Sequence, residues 1–563
     1  MHLMPRLALW VIVPLIALPS LYLYSKDLAL QSLLLSTLVL IYLWALLKNS
    51  RYLALLYPFT LLLPFVLFYI HYYDSPINEQ ILSIILESNW QEVRGFLGAN
   101  IYLYIAIFII WLIGVTALFW YNQCYPVCWA HRSRWWIIIS VSIMAVSGII
   151  AHQRVATEMN TTFADDSTNF LINEKNSLIQ EFKQTYPLGV LISFYDLYQE
   201  QSKINNAFAK HQQFTFDASS SVVLKDKQVI VLVIGETSRR ANWQLNGYMR
   251  ATNPLLNTQK NVINFTDMLS VSAATRSSIP MLLTRKPATH VYSYDFAEKS
   301  VISAFKEAGF ATYWLSTQQK FGTHDTSTSV YAKEADEVIF LNKTNYSNQG
   351  ETDEVILPAL AKILAAPNKK QLIVIHTLGS HFDYSHRYPA AFDIFRPSLN
   401  DLDRYSLQDQ KYKQEITNSY DNSILFTDYV LNEVIETIKE NKQTEAFLLY
   451  SSDHGEDLFD GQCDKSGHGN ETVFNFEVAS LAWYSQAFAD KHPDKIQKLK
   501  INASKKINHT SVFPTLIDAA DIIIPTYHHE RSVLGNLDPY PRLVMGSKDY
   551  DRSLPKGKCR EIK

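Results

Sequence analysis

Residues 228–238 read QVIVLVIGETS, and this stretch decides the fold of the larger part of the chain. The run from Gln228 to Ile234 is apolar apart from its first residue and has the length of a strand buried on both faces. Similar runs lie at 311–316, 371–377 and 446–451, with helical patterns between them at 300–308, 353–364 and 417–439. Strands that alternate with helices predict an α/β domain with a mostly parallel sheet and helices on both faces.

Polar side chains follow three of these strands where each strand ends. Glu236 follows the first, His381 lies in GSH (379–381), Asp453 and His454 lie in SDHGE (452–456), and His468 lies further on in GHG (467–469). A single acidic residue or histidine at such a point is usually a cap or a structural side chain. Together, however, they lie where α/β folds bind ligands and are the ligand types that hold Zn²⁺ or Mn²⁺. The sequence therefore predicts a metal site at the carboxyl edge of the sheet.

The segment 270–280, SVSAATRSSIP, offers a nucleophile for that metal site. Small residues followed by hydroxyl residues predict a helix that begins near Thr275. The free N–H groups of a helix N-terminus favour an anion such as phosphate, and metal coordination can activate a hydroxyl as a nucleophile. The alternative is that Thr275 or Ser277 only caps the helix.

The first 152 residues differ from the rest, so the mean hydropathy of −0.05 averages two unlike parts. Five apolar runs, at 7–24, 29–47, 53–72, 101–121 and 135–151, are almost free of charge, and each is long enough to cross the ~30 Å hydrocarbon layer. With the N-terminus inside, five basic flanking residues lie in the cytoplasm (Arg6, Lys48, Arg51, Arg132, Arg134) and two lie outside (Lys26, Arg94). We expect a five-helix transmembrane domain over 1–152, a bridging segment over 153–219 and an extracytoplasmic catalytic domain over 220–563. The net charge of −3 excludes a strongly basic nucleic-acid binder.

These motifs, in this order, resemble those of the bacterial phosphoethanolamine transferases. Five spans are followed by GET (235–237), TRSSIP (275–280), GSH, SDHGE and GHG. That family modifies lipid A or the inner core of lipopolysaccharide and includes the colistin-resistance (polymyxin-resistance) enzymes. The resemblance implies a sulfatase/alkaline-phosphatase fold for the catalytic domain. It also implies a monomeric, multi-pass protein of the bacterial inner membrane, with its N-terminus in the cytoplasm and its catalytic domain in the periplasm.

Carried over residue by residue, the resemblance implies roles for four residues at the predicted metal site. Glu236, Thr275, Asp453 and His454 match the zinc ligands, and Thr275 also matches the nucleophile that becomes bound to phosphoethanolamine. The resemblance implies a different role for His381 and His468.

Those two histidines match residues that hold the phosphate or a second zinc, so one or two zinc ions are implied. Ser88 and Glu92 match a lipid-head-group motif after the third span, although Ile84 stands where the family often has Asn. Lys320 loosely matches a substrate-contacting lysine.

Cysteine usage differs from that of the best-known members, which carry several disulfides in the catalytic domain. Only Cys463 and Cys559 lie outside the membrane here, and their pairing is left open by the sequence. Cys124 and Cys128 fall on a predicted cytoplasmic loop, where thiols stay reduced. The few cysteines and the pair Gln318-Gln319 resemble the heptose-modifying subgroup.

The implied activity is transfer of phosphoethanolamine from phosphatidylethanolamine to lipopolysaccharide through a covalent intermediate on Thr275, with release of diacylglycerol. Two alternatives stay open: the same transfer to periplasmic glucans, and glycerol-phosphate transfer as in lipoteichoic acid synthases. A sulfatase activity is disfavoured because residues 274–276 (ATR) lack the Cys-x-Pro-x-Arg-like setting of its nucleophile. An inactive receptor that keeps the fold would have a broken metal set, whereas this set is complete.

Overall fold

The computed structural model describes residues 4–24, 30–73, 76–78, 82, 85, 101–144, 146–147, 182–220, 227–293, 296, 298–318, 327–342, 351–440, 443–525, 527 and 530–562. The chain divides into two compact units, one of Met1–Ser88 with Asn100–Ser202 and one of Asn89–Ala99 with Lys203–Lys563. The domain boundaries at residues 152 and 219 stay predictions.

Helices make up most of the described part of the first unit. They are α1 (Met4–Tyr24), α2 (Leu30–Leu47), a 3₁₀ helix (Ser50–Leu56), α3 (Tyr57–Tyr73), α4 (Ile101–Cys124), α5 (Ser133–Met144) and the start of α6 (Leu188–Gln213). Each of the five predicted apolar runs therefore contains a helix. Two of the described helices, Ser50–His71 and Ile101–Cys124, are long and apolar enough to cross a membrane. The five-span topology thus stays a proposal.

The run predicted from residue 53 begins as a 3₁₀ helix rather than an α-helix. Asn49 caps that helix by accepting a hydrogen bond from the backbone N–H of Arg51. Pro58, which has no N–H to donate, comes second in α3, in the first turn of an α-helix, where no N–H is needed. A buried pair fixes this turn to the end of α4, because Ser50 Oγ donates to Asn122 Oδ1 at 2.8 Å and Asn122 Nδ2 donates to the Ser50 carbonyl.

The second unit is built on a seven-stranded sheet with the strand order β2-β11-β7-β1-β6-β4-β5. The strands of this unit are β1 Gln228–Gly235, β2 Val262–Asn264, β3 Met268–Leu269, β4 Ala311–Ser316, β5 Glu337–Phe340, β6 Lys370–His376, β7 Glu445–Ser452, β8 Asp457–Leu458, β9 Ser466–Gly467, β10 Glu477–Val478, β11 Ser480–Tyr484, β12 Ile507–Asn508, β13 Leu543–Val544 and β14 Lys548–Asp549. The five strands from β7 to β5 are parallel, while β11 runs antiparallel to β7 and β2. The four strands predicted from apolar runs are confirmed.

Helices cover both faces of this sheet. The α-helices of this unit are α7 Thr275–Leu283, α8 Val301–Glu307, α9 Ser327–Ala332, α10 Ile356–Leu364, α11 Lys413–Lys439, α12 Val473–Phe476, α13 Gln486–Lys491, α14 Pro493–Asn502 and α15 Val512–Ala519; α12 packs in a separate core with β3. Alternate residues of β1 enter two separate cores. Ile230, Leu232 and Ile234 lie in the core that also contains residues of α7, α8 and α15. Val229, Val231 and Val233 lie in the core that contains residues of α10 and α11. Burial on both faces explains why β1 reads as a continuous apolar run.

The end of the predicted bridging segment packs into the second unit. The ring of Phe216 is buried 5.7 Å from the ring of Phe513. The backbone N–H groups of Phe216 and Ala218 donate to the carboxylate of Glu307. These contacts fix the chain before it enters β1.

Cys463 and Cys559 form a disulfide, which answers the question that the sequence left open. The bridge joins the loop that follows β8 to the last residues of the chain. Cys124 and Cys128 are free and exposed in the first unit.

Candidate active site

The carboxyl ends of β1 and its neighbours meet at one edge of the sheet. In the sheet register Ile234 lies opposite His376 of β6 and Ser451 of β7, so the residues that follow each strand emerge side by side. Gly379 has φ +49°, and a Cβ there would lie 2.7 Å from the Glu236 carbonyl oxygen. Only glycine therefore lets the loop that carries His381 pass this close to the end of β1.

This edge brings together Glu236, Thr275, Asp453 and His454. The Thr275 hydroxyl lies 3.3 Å from both carboxylate oxygens of Glu236 and 3.1 Å from His454 Nε2. His454 Nε2 is also 3.3 Å from Glu236 Oε1 and 3.4 Å from Asp453 Oδ2. The Glu236 side chain is 1% exposed, and those of Asp453 and His454 are fully buried. Four groups that are far apart in sequence thus converge on one small space.

Burial and mutual charge perturb these groups strongly. Burial and the charge of Glu236 raise the pKa of Asp453 to about 7. Burial opposes the charged form of His454, but Asp453 and Glu236 outweigh it and raise the pKa of the imidazole to about 10. The pKa of Glu236 is lowered, since the hydrogen bond and charge of His454 overcome the effect of burial. Two buried carboxylates side by side favour a neighbouring cation.

The atoms at the centre of this cluster fit a divalent metal ion. Asp453 Oδ2 is buried and accepts no hydrogen bond from the described residues, although His454 Nε2 lies 3.4 Å away. His454 Nδ1 lies 2.9 Å from the Gly455 carbonyl, which can only accept, so Nδ1 carries a proton. Nε2 faces the two carboxylates, where a bound cation would take the place of its proton. One ligand atom from each of Glu236, Asp453 and His454 lies within 4.8 Å of the others. Carboxylate oxygens with an imidazole nitrogen are a usual ligand set for zinc.

Thr275 is the first residue of α7, and the residue in the capping position is Ala274. The interpretation of Thr275 as a mere N-cap is therefore wrong. Ser277 does not occupy the cap position either; its hydroxyl lies 2.6 Å from that of Ser272. Because alanine has no side-chain acceptor, no side chain caps the first turn of α7, and its N–H groups favour an anion beside Thr275.

His381 and His468 lie beside the four-residue cluster. The His468 ring is 4.6 Å from that of His454 and 5.8 Å from that of His381, centroid to centroid. His381 Nδ1 lies 2.6 Å from the Phe382 carbonyl, and His468 Nδ1 lies 3.4 Å from Glu456 Oε2. Burial lowers the pKa of His381 to about 4, so this ring is neutral near pH 7. Each ring therefore has one nitrogen engaged by an oxygen and a second one for a ligand.

Three of the predicted site residues, Ser88, Glu92 and Lys320, lie outside the described residues. The structure adds contacts that sequence reasoning missed. Gln318 Nε2 donates to Glu236 Oε2 at 3.2 Å, and Tyr384 donates to the buried carboxylate of Glu456 at 2.9 Å. Their positions in the sequence could have indicated these two residues, since Gln318 follows a strand and Glu456 ends the SDHGE motif.

A second cluster of metal-ligand types, Glu445, His492 and Asp521, involves the opposite end of β7. Lys491 pairs with Glu445 at 2.7 Å, and Lys495 pairs with Asp521. Ammonium groups of the chain itself therefore balance these carboxylates.

Comparison with known proteins agrees with this architecture. The Kdo(2)-lipid A phosphoethanolamine 7''-transferase of Escherichia coli (strain K12) is 24% identical over 475 residues, which cover 80% of this chain and 79% of that protein. The crystal structure of the C-terminal periplasmic domain of EcEptC from Escherichia coli in complex with Zn is 26% identical, with a TM-score of 0.54, and covers 62% of this chain and 98% of that one.

A third comparison extends over nearly the whole chain. The integral membrane protein lipooligosaccharide phosphoethanolamine transferase A (EptA) from Neisseria meningitidis is 21% identical, with a TM-score of 0.66 over 92% of this chain and 97% of that one, and shows a shared fold. The model of the sulfatase family matches residues 228–522, which contain the sheet and all six clustered side chains. Since that match spans more than half of the sequence, the chain belongs to the sulfatase family.

Proposed function

We propose that this chain transfers phosphoethanolamine from phosphatidylethanolamine to lipopolysaccharide, with Thr275 as the covalent carrier. The Escherichia coli relative is named for phosphoethanolamine transfer to Kdo(2)-lipid A, which supports both the transferred group and the class of acceptor. No relative named above favours periplasmic glucans as acceptor or glycerol phosphate as the transferred group. Sulfate-ester hydrolysis is disfavoured by the threonine at the nucleophile position.

The observation that carries the proposal is the position of the Thr275 hydroxyl. It lies within 3.3 Å of Glu236 and His454 at the head of a helix that has no side-chain cap. On one side of this hydroxyl, the cluster of Glu236, Asp453 and His454 can activate its oxygen as a nucleophile. The first-turn N–H groups of α7 can bind the phosphoryl group on the other.

Zinc is the ion that we propose for the cluster, held by Glu236, Asp453, His454 and the Thr275 oxygen. The zinc complex of the EcEptC domain supports this choice. Bound zinc would lower the pKa of the Thr275 hydroxyl and offset the negative charge of the phosphoryl oxygens. His381 and His468 are proposed to hold either the phosphoryl group or a second zinc.

The chain's own residues then supply two displacement steps. In the first, Thr275 Oγ bonds to phosphorus while the bond from phosphorus to the diacylglycerol oxygen breaks. The hydroxyl proton leaves Thr275, and the diacylglycerol oxygen gains one. In the second, an acceptor hydroxyl loses its proton as its oxygen bonds to the same phosphorus, the Thr275–phosphorus bond breaks, and Thr275 Oγ regains a proton. This sequence predicts ping-pong kinetics.

We propose that residues 1–152 are a five-helix anchor in the inner membrane, that the N-terminus lies in the cytoplasm, and that residues 220–563 lie in the periplasm; the protein is proposed to be a monomer. Apolar helices in all five predicted runs support the anchor, and the periplasmic origin of the EcEptC domain supports the location. The lipid donor and an amphiphilic acceptor share the bilayer surface, so an anchored enzyme meets both at a raised effective concentration.

Replacement of the nucleophile tests the proposal. We expect Thr275→Ala to abolish modification, because alanine cannot form a bond to phosphorus, and Thr275→Ser to retain part of it. The measurement is mass spectrometry of lipid A and core oligosaccharide from cells that express each variant. Thr284→Val, at the other end of α7, is the matched control and keeps activity. Unchanged phosphoethanolamine on lipopolysaccharide with Thr275→Ala would refute the proposal.

A further inference from the structure

Thr237 occupies a backbone conformation that its side chain disfavours. It follows Glu236 directly and has φ 59°, in the left-handed region. Among the described residues it is the one β-branched residue with positive φ. Branching at Cβ makes this region especially unfavourable, and Gly, Asn or Asp would adopt it more readily. A requirement other than stability of the turn must therefore favour threonine here.

The contacts of Thr237 identify that requirement. Its backbone N–H donates to Asp453 Oδ1 at 3.0 Å, and its hydroxyl donates to Glu236 Oε1 at 2.7 Å. One residue thus donates to both buried carboxylates of the cluster. Neither bond uses Asp453 Oδ2, which faces His454 Nε2 at 3.4 Å and accepts no hydrogen bond from the residues that the structure describes.

The surrounding chain holds Thr237 in this conformation. The Tyr420 hydroxyl donates to the Thr237 carbonyl at 2.7 Å, and the next residue, Ser238, donates its N–H to Ser452 Oγ at 2.7 Å. Thr237 itself is fully buried. Strain that neighbouring contacts maintain at one point of a fold is characteristic of functional sites.

We infer that Thr237 is a positioning residue for the metal site: its hydroxyl and its N–H aim the carboxylates of Glu236 and Asp453 at a shared divalent cation. Hydrogen bonds from residues that do not touch the metal fix the orientation of metal ligands and raise metal affinity. This inference rests on the zinc site of the proposed function, but it concerns a residue that would not touch the ion.

Three substitutions separate the hydroxyl from the shape of the side chain. Thr237→Val keeps the branched shape and loses the donor, Thr237→Ser keeps the donor and loses the branch, and Thr237→Ala loses both. Thr427→Val on α11 is the matched control, because Thr427 is a buried threonine whose hydroxyl donates to a backbone carbonyl of its own helix. The full-length chain is purified without metal in detergent micelles, and zinc affinity is measured by competition with a zinc-chelating dye.

We expect Thr237→Val and Thr237→Ala to weaken zinc binding by about 10–100-fold, whereas Thr237→Ser and Thr427→Val bind like the wild type. Melting of the metal-free proteins reports folding; if the valine variant unfolds, the serine–alanine comparison decides. Equal zinc affinity in the serine and alanine variants overturns the inference alone. Failure of the wild type to bind zinc overturns the proposed zinc site, and with it this inference.

Discussion

The disulfide between Cys463 and Cys559 allows a quantitative prediction about the second unit. We consider the double substitution Cys463→Ser with Cys559→Ser, which removes the bridge without leaving a free thiol. The bridged residues are 96 apart in sequence. In the chain-entropy model, a closed loop of that length restricts the unfolded chain by about 4.7 kcal/mol, and removal of a native bridge typically costs about 2–5 kcal/mol.

Other contacts limit the loss to the lower part of that range. Lys465 pairs with Glu561 at 2.9 Å, and the Ile562 N–H donates to the Glu471 carbonyl at 2.7 Å, so the end of the chain stays attached without the bridge. We therefore expect a decrease of about 2–3 kcal/mol in the free energy of unfolding. Activity well below the melting temperature should persist, because β8 and β9 still pair next to His468.

Urea unfolding of the full-length chain in detergent, read by pulse proteolysis with mass spectrometry of the fragments, follows the second unit alone. Cys124→Ser with Cys128→Ser is the matched control, since these exposed thiols lie in the first unit. A loss below about 1 kcal/mol in the bridge variant, or an equal loss in the control, would refute the reasoning.

Three further predictions concern stability, pH and metal. Phe216→Ala leaves a cavity beside Phe513 and should lower the free energy of unfolding by about 3–5 kcal/mol in the same urea assay; a loss below 1 kcal/mol would contradict its role in the core. Burial raises the pKa of Asp428 from 3.8 to about 7, so the protonated carboxyl stabilises the fold fully below pH 4, and this contribution is lost as the pH rises to 7. The free energy of unfolding falls by at most about 1.4 kcal/mol per pH unit over this range. Urea titrations from pH 4 to 8 should show a flatter profile for Asp428→Asn. Zinc at a hundred times its dissociation constant should raise the free energy of unfolding by about 2.7 kcal/mol over the chelated protein, and Asp453→Ala should abolish that difference.

The sequence predicts the centre of the sheet well because local signals are sufficient there. A strand buried on both faces appears as an uninterrupted apolar run, as in 228–234, and the residues that follow such strands share one edge by geometry. The proximity of Glu236, Asp453 and His454 could therefore be predicted without any alignment of homologues.

The periphery and the finer contacts depend on long-range pairings that local patterns do not encode. The edge strand β2 has three residues, and its antiparallel pairing with β11 joins segments more than 200 residues apart. Whether Cys463 meets Cys559 also depends on the path of the whole intervening chain. The conformation of Thr237 is hidden for a different reason, since threonine at positive φ contradicts its own propensity.

Three features that lower stability meet at one place in this fold. Thr237 has a disfavoured backbone conformation, Asp453 keeps a buried oxygen that accepts no hydrogen bond from the described residues, and α7 begins after an alanine that cannot cap it. Each of these features alone lowers the stability of the fold. A cation between Glu236 and Asp453 would offset the second feature, and an anion at the head of α7 would offset the third. The strain of Thr237 would stay, but that residue donates to both carboxylates that would bind the cation. These two ligands are the two that the proposed phosphoryl transfer to Thr275 would require, so the same positions account for both the loss of stability and the proposed chemistry.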